Sequence, residues 1–571
     1  MKGLIHFIHQ YLPLFRSLKN YDKVTFRGDL IAGITVGIML IPQGMAYALI
    51  AELPPEYGLY AALVPLIIYA MMGTSPHLSV GPVALVALLV ASAVTPLANS
   101  PEEHIALSIL LALMVGAIQL LFGLLKMGFL VNLLSHPVLS GFVSAAAIVI
   151  GMSQLHHILG VDSITGGLHE ILIGIGVQID QIHLLTLFIG VVSIGLIILL
   201  KRKLPAIPGP VVAVVAGILL VYFSGLERFG LTIVGELNAG IPSLIMPAVE
   251  WETMITLFPM ALAIALVAYM EAIAVAKAVQ QKSKDYQIDP NQELVALGTA
   301  NIWGSFFQAF PATGSFSRTA VNYGSGGKTG LSSMFSAITV GITLLLLTPV
   351  FYYLPTAILA AIILVSVFGL IEFDEFKRLW RLGHYDRYML LATFAGTLFI
   401  GIKEGILLGV TLSVIMLLYR SARPNHAVMG RIPGTSIYRN INRYETEQKP
   451  EFLIFRFDAP LHFANAEYFK DQVYDLIQAN PKTSCLILDL NGVNEIDSTG
   501  LDKLFEVVEN LEEKGVAVQL AEVKSMVRDM IKNSTKDKEW EFFMTIEDAI
   551  VATTSDKKEQ EENEFTIHFD K

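Results

Sequence analysis

The segment FPATGSFSRTAVNYGSGG, residues 310–327, decides the fold, because it places helix breakers and an arginine where an apolar membrane helix is expected. Its counterpart in the first half of the chain is HLSVGPVALVALLV, residues 77–90. Irregular backbone inside a bilayer persists only where it lines a cavity or is buried in protein. Pro82 and Gly314 suit the start of a helix. Each segment is therefore predicted to open an unusually short membrane span.

The composition around these segments is typical of a protein embedded in lipid. Of 571 residues, 54% are hydrophobic and 16% are charged, and the mean hydropathy is +0.59. Stretches of about 20 apolar residues, the length that crosses a hydrocarbon core, recur along most of the chain. They predict about fourteen spans, near residues 30–51, 56–72, 83–98, 104–124, 134–154, 183–200, 206–224, 254–276, 291–307, 316–326, 330–353, 356–371, 385–401 and 403–420.

The two short spans occupy equivalent positions, since one is the third of the first seven spans and the other is the third of the second seven. This arrangement is typical of inverted repeats whose half-helices meet at the membrane midplane, with the positive ends of their dipoles towards an anion. A pair of helices kinked by proline and glycine, without a ligand, is the alternative interpretation.

The distribution of basic residues predicts the orientation of the chain. With the N-terminus inside, the loops after even-numbered spans carry most of the lysines and arginines, among them Lys126, Lys201 and Lys328. The opposite loops carry Arg228 and Lys403. Because basic loops stay on the cytoplasmic side, both termini are predicted to be cytoplasmic, in a protein of the cell (inner) membrane.

Two ionisable residues are predicted to lie inside the bilayer, where each costs about 3 kcal/mol and so indicates a function. Glu271 lies in the eighth span, and Arg318 lies at the start of the short tenth span. A guanidinium offers a planar fork of donors to an oxyanion, and Ser317 adds a hydroxyl beside it. A compatible alternative is that Glu271 and Arg318 neutralise each other as a buried pair.

Glu271 is also a candidate proton carrier. Burial disfavours its charged form, whereas a nearby Arg318 favours that form. Protonation of Glu271 would release Arg318 to hold the anion, so that proton and anion move inward together. In the first span Gln43 and Tyr47 are four residues apart, hence on one helix face, and both are neutral donors for an oxyanion. Ordinary hydrogen bonding between helices is the alternative for this pair.

The last quarter of the chain is predicted to be a soluble domain. Residues 436–571 hold 28 acidic and 16 basic residues, which argues against nucleic acid as a partner. From residue 448 strand and helix patterns alternate, which predicts a small α/β sandwich. In its loop NGVNEIDSTG, Ser498 lies before a helix, where a hydroxyl either caps the helix or is phosphorylated. One cysteine, Cys485, excludes a disulfide framework and a cysteine metal cluster; no metal or cofactor is predicted.

These motifs resemble the sulfate permease (SulP) or solute carrier 26 family over essentially the whole chain. The resemblance rests on GDLIAGITVGIMLIPQGMAYA, GTSPHLSVGPVALVALL, YMEAIAVAK, NQELVALGTANIWGSFF, GSFSRTAVN and NEIDSTG. It implies a polytopic all-α membrane domain of 14 helices as 7+7 inverted repeats (UraA-like), with core and gate subdomains, a cytoplasmic α/β STAS domain and a homodimer. One departure is Pro76, which stands where many members have arginine.

The resemblance also implies residue roles. The anion would lie between the starts of the third and tenth helices and the first helix, at Val83, Ala84, Phe316, Ser317, Arg318, Gln43 and Tyr47. Glu271 is similar to an acid of plant proton-coupled sulfate transporters, which favours protons over sodium. Ser498 corresponds to the phosphorylated serine of anti-sigma-factor antagonists, so a cytosolic partner of the STAS domain is possible.

We therefore expect a secondary active transporter, not an enzyme, that imports sulfate by proton symport around a midplane site. Bicarbonate or dicarboxylate symport, coupled to protons or sodium, is the alternative, and an anion sensor or scaffold acting through STAS is a third reading. The predicted segments are a cytoplasmic N-terminal segment, a transmembrane domain, a linker, the STAS domain and an acidic tail, at residues 1–29, 30–425, 426–445, 446–555 and 556–571.

Overall fold

The computed structural model describes residues 12–18, 21–129, 135–162, 168–204, 208–283, 285–382, 384–534 and 540–554. The acidic tail predicted at 556–571 and the first part of the N-terminal segment 1–29 lie outside the described residues. The chain divides into two compact units, Met1–Ser413 and Val414–Lys571. Each unit is described by itself.

The first unit is helical. Its helices are α1 Leu14–Ser17, α2 Lys23–Ile50, α3 Pro55–Tyr60, α4 Val64–Met72, α5 Ala84–Val94, α6 Pro101–Leu124, α7 His136–Ser153, α8 Leu155–Leu159, α9 Leu168–Val177, α10 Leu184–Lys203, α11 Gly209–Ser224, α12 Trp251–Ser283, α13 Pro290–Phe306, α14 Phe316–Gly324, α15 Leu331–Ile342, α16 Thr356–Phe368, α17 Phe373–Leu382, α18 His384–Ala395 and α19 Ile402–Ala422, which runs on into the second unit. Two short strands, β1 Val80–Gly81 and β2 Thr313–Gly314, precede α5 and α14.

Every one of the fourteen predicted spans overlaps a helix in the part of the chain that the structure describes. Nine segments of the described chain are long and apolar enough to cross a membrane. Helix α2 begins at Lys23, earlier than the predicted start near residue 30, because the side chain of Asp22 caps it by accepting from the Thr25 N–H at 2.8 Å. The second predicted span is split into α3 and α4, which Pro54 and Pro65 help to start.

Strands β1 and β2 pair antiparallel and bring the two short helices together. Val80 pairs with Gly314 and Gly81 pairs with Thr313. The Ser315 N–H also donates to the Ser79 carbonyl at 3.0 Å. Helices α5 and α14 begin directly after this pair of strands, so their N-terminal ends lie close together. This is the geometry predicted for two half-helices of an inverted repeat.

The second unit is built on a six-stranded sheet. Its strands are β3 His426–Arg431, β4 Tyr438–Asn440, β5 Phe452–Phe457, β6 Cys485–Asp489, β7 Ala517–Ala521 and β8 Phe542–Phe543, in the order β4-β3-β5-β6-β7-β8. Strands β5 to β8 are parallel, and β3 is antiparallel to β4 and β5. Helices α20 Ala466–Ala479, α21 Ser498–Glu513 and α22 Ser525–Ser534 pack on this sheet.

The segment predicted as a linker, residues 426–445, differs from that expectation. It contains β3 and β4, and His426 of β3 pairs with Phe457 of β5. An antiparallel edge hairpin carries little hydrophobic periodicity, so the sequence does not separate it from a connection. The sheet has its own apolar core, in which Phe455, Phe457 and Phe469 are buried. A unit with its own core is able to fold alone.

Candidate anion-binding site

A cavity of about 410 Å³ lies where the two half-helices begin. Its wall is formed by α2, α5, α10, α11, α12, α14 and α16. Seven of the eight residues predicted to bind the anion or carry the proton line it: Gln43, Tyr47, Val83, Ala84, Glu271, Phe316 and Ser317. The sequence thus predicted a set of residues, distant along the chain, that the fold brings to one place.

Helix α2 positions the two neutral donors. Gln43 and Tyr47 are one helical turn apart, and both face the cavity. They are 4% and 5% exposed. Among the described residues the Oε1 atom of Gln43 has no hydrogen-bond partner. Buried amide oxygens are rarely left unpaired, so this side chain is one that a ligand would reorient.

The half-helices present free backbone donors. The residues before α5 and α14, Val83 and Ser315, make no capping hydrogen bond with their side chains. The first N–H groups of a helix have no partner within the helix. Together with the helix dipole, such groups form a site for an anion. The hydroxyls of Ser315 and Ser317 lie 3.3 Å apart at the start of α14 and add further donors.

Arg318 lies near the start of α14, beside the segment that leads into α5, as the sequence predicts. It is 0% exposed, and it is absent from the cavity wall. Its Nη1 donates to the Pro82 carbonyl at 3.1 Å, which ties α14 to the segment before α5. Its Nε and Nη2 atoms have no hydrogen-bond partner among the described residues. The guanidinium is therefore a positive charge held behind the half-helix ends.

Within the described residues no hydrogen bond or ion pair joins Glu271 to Arg318 directly, and their mutual neutralisation as a buried pair stays a prediction. Helix α12 places Glu271 in the cavity wall. Its Oε2 atom, like the two Arg318 nitrogens, has no hydrogen-bond partner within the described parts of the chain. The two residues are near enough to interact electrostatically. An acid in the wall and a cation behind it thus act on the same cavity.

Glu293 and Asp29 are among the buried carboxylates that were not predicted from the sequence. Glu293 in α13 is 0% exposed, and it accepts from the Tyr69 hydroxyl at 2.7 Å and from the Thr74 N–H and hydroxyl at 2.7 and 2.6 Å. Asp29 in α2 is also 0% exposed and accepts from the Lys328 N–H at 2.6 Å. Glu293 lies in the first turn of α13, where an acid is ordinary, so the sequence carried no distinguishing signal for it.

The sequence analysis also missed three polar residues of the cavity wall, Ser315, Ser366 and Lys201. Lys201 had been considered as a basic loop residue that sets orientation. The signal that could have found it is helical spacing, because Ile197 and Lys201 are one turn apart on α10 and share a face.

In the second unit, Asp497 rather than Ser498 caps α21. Its Oδ1 accepts from the Gly500 N–H at 2.7 Å and its Oδ2 from the Phe463 N–H at 2.9 Å. Desolvation opposes ionisation of Asp497, but these N–H donors hold the pKa of its carboxyl below the ordinary value. Ser498 is exposed at the first helical residue. Its phosphorylation stays a prediction.

The helical unit with its half-helices and the separate α/β unit define a multi-pass membrane transport protein. The family model of the sulfate permease family matches residues 26–393, and that of the STAS domain matches residues 443–549. The chain therefore belongs to the sulfate permease family, and its C-terminal unit is a STAS domain.

Curated relatives cover nearly the whole chain. Sulfate transporter 4.1, chloroplastic, of Arabidopsis thaliana is 39% identical over 96% of this chain and 83% of its own length. High affinity sulfate transporter 2 of Stylosanthes hamata is 34% identical over 95% of this chain and 86% of its own length.

Solved structures share the fold. Murine Solute Carrier 26 family member A9, an anion transporter in the inward-facing state, has a TM-score of 0.89 at 27% identity, over 97% of this chain and 95% of that one. The transmembrane domain of the cyanobacterial bicarbonate transporter BicA shows the fold alone, with a TM-score of 0.60 at 24% identity over 69% of this chain and 98% of that one. Members of this family are transporters, so the chain is an anion transporter and not an enzyme.

Proposed function

We propose that this protein imports sulfate together with protons. The observation that carries the proposal is the cavity in which Gln43, Tyr47, the two half-helix ends and Glu271 meet in front of the buried charge of Arg318. Two curated relatives named as sulfate transporters support the choice of sulfate. The cavity of about 410 Å³ has room for a tetrahedral oxyanion with some of its water.

Binding would use neutral donors and a fixed charge. Sulfate oxygens would accept from the first N–H groups of α5 and α14, from Gln43 and Tyr47, and from the Ser317 hydroxyl. Arg318 contributes positive potential from behind Pro82, where its Nη1 donates to the Pro82 carbonyl. The N–H donors belong to rigid helix ends, so the reorganisation expected when the anion arrives is mainly that of the Gln43 side chain.

Glu271 would couple the anion to a proton. Its carboxylate shares the cavity with the substrate, so an ionised Glu271 and a dianion repel each other. Protonation removes this repulsion and turns the carboxyl into a further donor. Sulfate binding is thus tied to proton binding, and the two are coupled reciprocally.

Alternating access would follow from movement of a core subdomain, which carries α5 and α14, against a gate subdomain. We expect a homodimer with both termini in the cytoplasm and a position in the cell (inner) membrane, surrounded by lipid. The STAS domain would bind a cytosolic partner, with Ser498 as the phosphorylated residue. Basic loops after even-numbered spans support this orientation.

Proteoliposomes test the proposal. Labelled sulfate uptake is measured with and without pH and sodium gradients for wild type, Glu271→Gln, Arg318→Ala and a control, Glu102→Gln, which changes an exposed acid. We expect wild type and the control to accumulate sulfate under an inward proton gradient. Glu271→Gln, which imitates the protonated acid, should still exchange sulfate for sulfate but lose acceleration by the gradient. Arg318→Ala should do neither.

Other outcomes point to other functions. Uptake by Glu271→Gln that is still driven by the pH gradient would overturn the coupling role of Glu271. Competition by bicarbonate or a dicarboxylate but not by sulfate, or a requirement for sodium, would identify a different symporter. Wild-type vesicles that bind sulfate yet accumulate none would indicate an anion sensor or scaffold acting through STAS.

A further inference from the structure

One basic residue reaches the cavity wall. Among the lining residues in the described chain, Lys201 and Glu271 are the two with ionisable acidic or basic side chains. Lys201 lies in the last turn of α10, one turn after Ile197, and both face the cavity. Arg318, the other cation of this region, is sealed behind Pro82. Lys201 is therefore the positive side chain that an anion in the cavity can contact without rearrangement of the half-helices.

General explanations do not distinguish Lys201 from its neighbours. Lysines at a helix C-terminus complement the helix dipole, and basic loops set membrane orientation. Both explanations apply equally to Lys201, Arg202 and Lys203, which share the last turn of α10. Arg202 and Lys203 are exposed and lie outside the cavity wall. The geometry thus singles out Lys201 and supplies two matched controls.

The ammonium group of Lys201 is also free to bind a ligand. Lys201 is exposed, and no ion pair or hydrogen bond joins its ammonium to any described residue. The cavity it faces contains unpaired polar atoms, Gln43 Oε1 and Glu271 Oε2. A lysine on a flexible stem can follow an anion over several ångströms, which a buried arginine cannot do.

We infer that Lys201 selects divalent over monovalent anions at the mouth of this cavity. The neighbouring wall consists of Pro208 and Pro210 at the start of α11 and Gly369 and Leu370 after α16, all at helix ends that the sequence predicts to be cytoplasmic. The inference rests on the proposed function, since it assigns a further residue to the same site. Lys201 acts on binding from that side and positions the anion, while Glu271 takes the proton.

Loss of Lys201 should therefore weaken binding of a dianion by the square of the factor by which it weakens binding of a monovalent anion. The interaction of one cation with an anion is proportional to the charge of the anion. If loss of Lys201 weakens binding of a monovalent anion about threefold, the size typical of a partly exposed charge pair, a dianion should lose about tenfold. A lysine that only stabilises the helix would change both affinities by the same factor.

The experiment measures equilibrium binding of labelled sulfate to the purified full chain, with nitrate as the monovalent competitor. The variants are Lys201→Gln, Lys201→Arg, Arg202→Gln and Lys203→Gln, each checked for unchanged thermal unfolding. We expect Lys201→Gln to weaken sulfate about tenfold and nitrate about threefold. Lys201→Arg should stay within about twofold of wild type, as should both controls. Sulfate affinity should also fall less steeply with ionic strength in Lys201→Gln than in wild type.

Sulfate binding to Lys201→Gln within about twofold of wild type, or an equal loss in Lys203→Gln, would overturn the inference. If nitrate does not displace sulfate, the dependence of sulfate affinity on ionic strength is compared instead. An equal dependence in Lys201→Gln and wild type would contradict the role of Lys201. Wild-type protein that does not bind sulfate would refute the proposed substrate itself. Wild-type binding with an unaffected Lys201→Gln would refute the role of Lys201 alone.

Discussion

Removal of the Glu293 carboxylate is expected to loosen the segment that leads to the first half-helix. Oε1 accepts from the Thr74 N–H at 2.7 Å, the Thr74 hydroxyl at 2.6 Å and the Ser75 N–H at 3.2 Å, and Oε2 accepts from the Tyr69 hydroxyl at 2.7 Å. Glu293→Ala leaves these donors without their acceptor in a buried place. The expected loss in free energy of unfolding is about 3–5 kcal/mol, because several buried donors lose their acceptor at about 1–3 kcal/mol each.

Glu293→Gln should be far milder, because the hydrogen bonds divide between the two oxygens. A glutamine oxygen in the place of Oε1 keeps the bonds from Thr74 and Ser75. Its amide group then faces the Tyr69 hydroxyl, which can turn and accept. We expect a loss of about 1 kcal/mol, with sulfate uptake largely retained.

The assay is thermal unfolding of the full chain in detergent at one scan rate, since unfolding of such a protein is irreversible. The control is Glu102→Ala, which removes an exposed acid. The order of apparent Tm should be wild type and control, then Glu293→Gln, then Glu293→Ala, with uptake following the same order. Equal damage by both Glu293 variants would show that the negative charge itself matters, and the reasoning from acceptors would be refuted.

Three further predictions concern single residues. Burial raises the pKa of Asp489 to about 6, so ionisation of this carboxyl lowers the free energy of unfolding as the pH rises from about 4 to 6. Asp489→Asn should therefore raise the Tm of residues 424–554 at pH 7 and leave it unchanged at pH 4. Asp497→Ala should cost that unit about 1–2 kcal/mol at pH 7 by urea unfolding; because the pKa of Asp497 is lowered, this difference should shrink as the pH falls below about 4. Gly58→Ala should lower sulfate affinity, measured by binding, because its Cβ would overlap the Gly44 carbonyl and displace the helix that carries Gln43.

Much of the fold was predictable because lipid makes the sequence pattern simple. A helix that crosses a bilayer must be apolar over most of its length, so the spans appear directly in the chain. The breakers Pro82 and Gly314 then revealed the half-helices. Gln43 and Tyr47 could be assigned to one face because helical spacing alone determines it. These predictions depend on local rules that the tertiary structure does not overrule.

The remaining features depend on contacts between distant segments. Nothing in GSFSRTAVN indicates that Arg318 points at the Pro82 carbonyl rather than into the cavity, because that direction is set by the pairing of β1 with β2. Lys201 was overlooked because it was taken for a loop residue, whereas α10 continues through Lys203 and places it on the same face as Ile197. Glu293 was overlooked because its partners, Tyr69 and Thr74, are more than 200 residues away.

The position of Arg318 changes the role that a buried arginine is given in this site. A Cβ added to Gly81 would lie 3.2 Å from Nη2 of Arg318, closer than side chains normally pack. The absence of a side chain at Gly81 thus leaves the space that the guanidinium occupies. The charge is held in place by the same pair of strands that aligns the two half-helices. In the mechanism that we propose, an anion would therefore meet backbone dipoles first, backed by a fixed charge, while Glu271 and Lys201 in the cavity wall would control protonation and selectivity.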